Sequence, residues 1–376
     1  MFLNAKRNRI CISFVSITAV TFSLAVFLAA AQQAPTKAPA SSTPAGHLVA
    51  PASGVVTSTN PSDYREDFSQ LTLKNSVFVP VAPVVGQVDD SPNFNFIRER
   101  WQVDWRPTDP IDLYIIKPKG VKNPPVILYL YSYPSDTDRF KTDDWAGTAT
   151  ANGFAAIGFV SAYTGHRKEF RTLDEAFMPK LDESLTSTVH DVQLILNFLT
   201  TRGDLDMTRV GMFGQGSGAT VAILASTVDP RIKAVDVLNP WGDWPEFFAK
   251  SPAIAKDARA RYVSAAFQAK VASLDPMNLL AKMKCQTFRM QDVRKSRPMP
   301  DDVQEHLEAA VPATGFVNKY GDSAALFPHA SGGKLFFWIK SQLQPDTNSQ
   351  VAVDKSERVH FYPGLANNDP LGLKHN

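Results

Sequence analysis

One stretch of this 376-residue chain brings residue types and spacing together in a way that could do chemistry. It is Arg209-Val-Gly-Met-Phe-Gly-Gln-Gly-Ser-Gly-Ala-Thr-Val-Ala-Ile223. A short strand-like run, Arg209 to Phe213, meets a cluster of glycines and passes into a helix-like run, Gly218 to Ala225. A reversal this sharp leaves room only for small residues two places before and after its apex. Gly214 and Gly218 hold those places around Gly216, so the apex itself is glycine. Ser217 carries the nearest hydroxyl, which with a base and an orienting acid would serve nucleophilic catalysis. Moving the apex to Ser217 would put Gln215, a large side chain, at a flank. With Gly216 at the apex, Ser217 falls at the helix start, where serine more often satisfies backbone amides. The same turn also reads as Gly214-x-Gly216-x-x-Ala219, the dinucleotide-binding fingerprint, with Asp236 near the place of a ribose-binding acid. That fingerprint normally opens its sheet, whereas this turn follows several strands, which makes nucleotide binding the lesser alternative.

Other reactive groups are scattered. The histidines are His47, His166, His190, His306, His329, His360 and His375, with no pair at ligand spacing, so neither a metal nor another cofactor is expected. His190-Asp191 reads as a surface pair beside the packing face of an amphipathic helix, and Cys285 as a small core residue. Trp241, Trp244, Phe247, Phe248, Tyr262 and Phe267 form a dense aromatic group. They either pack a helical cap onto a sheet or line an apolar pocket, with Trp241 and Trp244 as pocket candidates.

The elements that must position these residues alternate. Arg98 to Trp105 and Ile111 to Ile116 read as early strands separated by Pro107-Thr-Asp-Pro110. Val126 to Tyr131 and Phe154 to Val160 are almost wholly apolar, as strands covered on both faces should be. Trp145 to Asn152 reads as a helix between them. Thr186 to Thr201 reads as an amphipathic helix with Val189, Val192, Ile195, Leu196 and Leu199 on one face. Ile232 to Leu238, Thr287 to Met290 and Phe316 to Tyr320 are further strands, and Gly333 to Gln342 a last helix. The fold class expected is α/β: a mainly parallel sheet with helices on both faces and a short helical cap inserted at about 241–283.

From about Pro125 to Leu343 the chain resembles the α/β-hydrolase family, especially exported esterase, dienelactone-hydrolase and prolyl-peptidase-like members. The resemblance rests on the amphipathic helix, then Arg202-Gly-Asp-Leu-Asp-Met-Thr-Arg209, then the strand and glycine turn. It implies the α/β-hydrolase fold and hydrolysis of ester or peptide bonds by a serine at the centre of G-x-S-x-G. Here that place is Gly216, flanked by Gln215 and Ser217. The resemblance puts an acid after a late strand, where Asp292 stands and Lys295 falls nearest the expected position. It puts a histidine after the last strand, where Gly321-Asp-Ser-Ala324 stands instead and His329 comes about six residues later. The oxyanion turn, His-Gly in many members, is Ser132-Tyr133-Pro134, and proline removes a donor. The expectation is a degenerate triad and a small-molecule or peptide ligand that is bound rather than cleaved. The alternative is an active hydrolase using Ser217, His329 and Asp292 or another late acid.

Charge and the N-terminus bound the remaining possibilities. The 39 basic and 37 acidic residues become 36 and 37 once residues 1–31 are set aside, so a nucleic-acid partner is not expected. Lys6, Arg7 and Arg9 precede an apolar run from Ile10 to Ala31 that ends in three alanines, as a cleaved export signal does. The expectation is export to a periplasmic or extracellular space. Left uncut, residues 10–31 would be long enough to anchor the chain in a membrane. Cleavage would leave Cys285 as the sole cysteine and no internal disulfide. Residues 32–60 are an Ala/Pro/Ser/Thr-rich linker, residues 61–94 an N-terminal extension, residues 95–343 the α/β domain and residues 344–376 a loop-like tail.

Overall fold

The structure is a computed structural model and describes residues 55–79, 82–133, 138–162, 177–294, 298–344 and 359–363. The export segment, most of the linker, Pro134 and Lys295 lie outside the described residues. Strands come in chain order as β1 (Val56–Thr57), β2 (Val77–Phe78), β3 (Val84–Asp89), β4 (Phe96–Val103), β5 (Ile111–Pro118) and β6 (Pro125–Leu130). They continue as β7 (Ala155–Phe159), β8 (Asp206–Gln215), β9 (Ile232–Leu238), β10 (Thr287–Val293), β11 (Gly315–Tyr320) and β12 (Val359–Tyr362). The helices are α1 (Asp143–Thr150), α2 (Leu181–Thr200), α3 (Ser217–Val228), α4 (Trp244–Lys250), α5 (Arg259–Tyr262), α6 (Ala265–Val271), α7 (Pro276–Leu279), α8 (Asp301–Ala309), α9 (Ser323–Ala330) and α10 (Phe337–Leu343).

Among the described residues ten strands form one sheet in the order β12-β11-β10-β9-β8-β6-β7-β5-β4-β3, while β1 and β2 pair separately. The strands from β7 to β12 run parallel to one another, and β3, β4 and β5 join antiparallel at one edge. Strands β6 and β7 are buried at every position, which accounts for their unbroken apolar sequences. Alternation along β6 splits its side chains between two cores. Val126, Leu128 and Leu130 face the layer of α2, α3 and the cap, and Ile127 and Tyr129 face α1 and α10.

The chain runs from β6 through α1 to β7, then returns through α2 to β8 on the other side of β6. This reversal is a topological switch point. It opens a crevice beyond the carboxyl ends of β6 and β8, where open α/β sheets place their ligands. The expected strands and helices are found, with shifted ends. Helix α2 starts at Leu181, ahead of the apolar stripe that marks it, because its first turn is Leu-Asp-Glu-Ser. The tail differs from its reading as loop: Val359–Tyr362 adds β12 in parallel register to β11. In the N-terminal extension Phe78 is buried as a packing point, whereas Val84 faces outward on β3.

Candidate functional site

Strand β8 ends at Gln215 and α3 begins at Ser217, so the whole reversal passes through Gly216 at φ 56° and ψ −121°. That conformation is open to glycine and costly for any residue with a side chain. The Gly216 amide donates to the Leu238 carbonyl at 2.9 Å, and its carbonyl accepts from the amides of Ala219 and Thr220, closing the first turn of α3. The flanking positions are tight. A Cβ on Gly214 would lie 2.5 Å from Ala219 Cα, and one on Gly218 would lie 2.5 Å from the Leu130 carbonyl oxygen. These two approaches fix the apex at residue 216 and leave no register that would centre it on Ser217.

Ser132, just past β6, packs directly against the apex. A Cβ on Gly216 would lie 2.3 Å from Ser132 Oγ and 2.7 Å from Ser132 Cβ. The space in which a side chain at the apex would begin is therefore filled by the side chain of Ser132. Beside it stands Trp241, whose Nε1 is 3.5 Å from the same point. Its ring is 4% exposed, set edge-on to Phe177 and stacked on Phe247. The Trp241 backbone is pinned by Thr220, whose hydroxyl accepts from its amide at 3.1 Å and donates to its carbonyl at 2.7 Å. Arg139 lies over the Tyr131 ring at 4.0 Å and donates to Gln215 Oε1 at 3.3 Å, which holds the Gln215 side chain next to the apex.

Ser217 is 4% exposed, and its Oγ accepts the Tyr133 backbone N–H at 2.9 Å. It also lines a cavity of about 10 Å³ shared with Ser161, Ser184 and Thr188, on the side of α2. A cavity of this size is near the minimum for one water. The amide of Tyr133, which in an oxyanion turn would face substrate, is thus taken up by a side chain of the protein itself.

The other candidates are not gathered here. Asp292 is buried within β10, two strands from β8, opposite Lys319 on β11. His329 lies in the last turn of α9, and its ring packs against Tyr362 at 4.4 Å and Tyr320 at 5.6 Å between centroids. Those tyrosines belong to β12 and β11, four and three strands from β8, or roughly 19 and 14 Å at ordinary strand spacing. Trp244 is buried in the cap, with its indole N–H on the Leu274 carbonyl at 3.1 Å and its ring stacked on Phe248. Asp236, the acid of the nucleotide alternative, is fully buried under Arg289, which donates to both of its oxygens at 2.9 and 2.6 Å, and Gln291 adds a third bond at 3.0 Å. Burial pushes the Cys285 thiol up to about 12, away from thiolate chemistry.

Two constellations were not legible in the sequence. His306 Nδ1 lies 2.7 Å from Asp243 Oδ2, a pairing across 63 positions, and Asp243 sits in the left-handed region at φ 53°. His190 and Asp191, expected at the surface, are instead fully buried, because residues 64–73 are laid across α2. Arg106 joins Glu66 at 2.5 Å to Asp191, and His190 Nδ1 meets Glu66 at 2.6 Å. Burial alone would raise Glu66, but hydrogen bonds from Arg106 and His190 and their charges hold it well below the usual carboxylate range. Among the described residues no three His, Cys, Asp or Glu side chains come together as metal ligands. No described helix is long and apolar enough to cross a membrane.

No model of a known protein family matches the chain, and no curated protein matches it. Solved structures do. An S-formylglutathione hydrolase from Agrobacterium tumefaciens is 13% identical, with 69% of this chain and 99% of that one covered at a TM-score of 0.52. The acylaminoacyl peptidase of Pyrococcus horikoshii is 14% identical, with 68% of this chain and 43% of that one covered at a TM-score of 0.50. At such identities the likeness establishes architecture: the chain has the α/β-hydrolase fold. The turn between β8 and α3, with Gly216 at its apex, falls at the carboxyl end of a strand in the middle of that sheet.

Proposed function

We propose that this is an exported α/β-hydrolase-fold protein that has given up acyl transfer and acts by binding a small-molecule or peptide ligand at the carboxyl ends of β6 and β8. The observation that carries this reading is the filled apex. Gly216 has no side chain, and Ser132 stands where one would begin. The hydroxyl next along the chain, Ser217, is engaged with the Tyr133 amide and lies on the α2 side. The imidazole the family pattern would offer, His329, packs against Tyr320 and Tyr362 at the β11–β12 edge of the sheet.

The reading is tested by incubating the purified protein with short p-nitrophenyl esters and with a fluorophosphonate probe. The expected outcome is no turnover above background and no labelled serine. Robust turnover that disappears in Ser217→Ala would overturn it in favour of an active serine hydrolase. Tight nucleotide binding lost in Asp236→Asn would move the function to the dinucleotide alternative, although Asp236 is already committed to Arg289.

A further inference from the structure

We propose that residues 64–73 are a proton-sensitive strap: their docking across α2 keeps a second proton on the ring of the fully buried His190, and it loosens as the pH rises. This holds whether or not the crevice at β6 and β8 takes a ligand.

The charge of each group follows from its partners. Arg106 donates to both oxygens of Glu66, at 2.5 and 2.8 Å, and the Tyr64 hydroxyl donates a third bond at 2.7 Å. A carboxyl gripped on both oxygens by a guanidinium is an anion, with acceptor sites only. His190 Nδ1 lies 2.6 Å from one of those oxygens and must carry a proton to meet it. The Nε2 atom lies 2.9 Å from the Gln70 carbonyl oxygen, which can only accept, so it carries a proton as well. An imidazole that donates from both nitrogens is an imidazolium. With Arg106 held between Glu66 and Asp191, two cations then face two anions. A neutral ring would leave one buried negative charge in excess and one of the two acceptors on the ring unmatched.

The ionisable groups facing the ring are Tyr64, Glu66 and Asp67 on the strap, Arg106 on the loop after β4, and Asp191 beside it on α2. Strand β2 sets Phe78 against it edge-on, at 6.3 Å between ring centroids. Burial and the Glu66 charge push Tyr64 above the usual tyrosine range, and Asp191 and Glu66 hold Arg106 above its own value against the opposing effect of burial. Tyr64, Arg106 and the depressed Glu66 therefore keep their protonation where histidine titrates. Below about pH 6.5, the ordinary histidine value, the unfolded chain holds the same proton and the strap is fully held. Above it the docked chain alone keeps the proton, so docking takes one up and weakens with each further rise in pH until the ring itself lets go. Leu73 and Phe78 are buried in the core that α2 shares, and Tyr64 and Leu71 pack against it, so a strap that lifts bares an apolar flank.

The test uses the full chain with nitrogen-15 in its histidine rings. Among the seven histidines, His190 gives the ring signals that are absent from His190→Gln and displaced in Glu66→Gln, so either variant assigns them. At about pH 7.5 both of its ring nitrogens should bear protons, whereas an ordinary histidine is mostly neutral there. A His190 nitrogen without a proton at that pH overturns the proposal. Hydrogen exchange then reads the docking itself. The amides of Arg65 and Gln70, bonded to the Val77 and Asp67 carbonyls, report on the strap, and those of β6 report on the sheet. Corrected for intrinsic exchange, strap protection should fall by up to about tenfold per pH unit above about pH 6.5, the slope one proton sets, while β6 keeps its protection. In Glu66→Gln the anion against Nδ1 is gone, and the fall should begin at lower pH. Strap protection that stays constant to about pH 9 in the parent, or a fall unmoved in Glu66→Gln, overturns the strap as a proton-sensitive device.

Discussion

Two polar regions touch helices α2 and α3, and they are built on different terms. In the cluster of Glu66, Arg106, Asp191 and His190 each charged group meets a partner. Arg106 spans both carboxylates and the Ser187 carbonyl, and His190 contacts Glu66 and the Gln70 carbonyl. Around Gly216 the place where a side chain at the apex would begin is taken up by Ser132, with Trp241 Nε1 close by. A buried polar cluster whose charges answer one another ties distant segments together, whereas the turn at Gly216 is shaped by close steric approach. The first cluster ties the segment 64–73 to α2 with Thr186, His190 and Gln193 reaching the carbonyls of Phe68, Gln70 and Leu71. The second is held by close approaches at Gly214 and Gly218 and by the side-chain bonds of Ser217, Thr220 and Arg139.

The contrast can be broken from its closed side first. Arg106→Met would leave Glu66 and Asp191 buried without their cation, and should cost about 3–5 kcal/mol in urea denaturation. A loss below about 1 kcal/mol would mean that the cluster is dispensable. The next effect comes from the turn at Gly216. Gly216→Ala meets both the strained backbone and Ser132, and should cost about 2–3 kcal/mol. Adding Ser132→Gly should recover the part due to the clash, and a double-mutant cycle measures it.

Lys340 is an intermediate case. It is buried, with the Thr148 carbonyl as its acceptor at 3.0 Å, and burial pulls it down to about 8. Between about pH 8 and the ordinary lysine value near ~10.4 the unfolded chain holds the proton that the folded chain has released. Stability should therefore rise with pH through this window. Lys340→Met should remove the rise and gain roughly 1–3 kcal/mol at pH 7, as thermal melts across pH will show. Glu66 works in the opposite sense. Its depressed carboxyl contributes stability above the unfolded value near ~4.3, and that contribution fades as pH falls below it. Glu66→Gln should flatten the acid limb of the same melts. The smallest effect belongs to Ser217→Ala, which strips the Tyr133 amide of its acceptor and should cost about 1 kcal/mol without altering ester background.

Much of the frame was legible because burial writes itself into sequence. Strand β9 has the bounds that its apolar run announces, and the fully buried β6 and β7 are unbroken runs of apolar residues and glycine. The apex of the turn was legible too, since only glycines tolerate the approaches at 214 and 218. What covers a residue from far along the chain leaves no such mark. His190 and Asp191 look like surface on a helical wheel, and the groups that bury them, the Glu66 carboxylate and Gln70 carbonyl on His190 and the Arg106 guanidinium on Asp191, come from 85 to 124 positions upstream. Ser132 reads as an altered oxyanion turn, and its occupation of the apex appears only when β6 and β8 lie side by side. Strand β12 is four residues long at a sheet edge, too short for a pattern to emerge.

The way Ser132 leans over Gly216 also bears on the mutational paths open to this gene. Glycine and serine codons can differ by a single base, so a hydroxyl at the bend is one substitution away. That step lands on an occupied spot, and position 132 would have to shrink before the change became tolerable. A chain with neither hydroxyl would have to come first, so the two positions are coupled and can exchange their side chains only in that order.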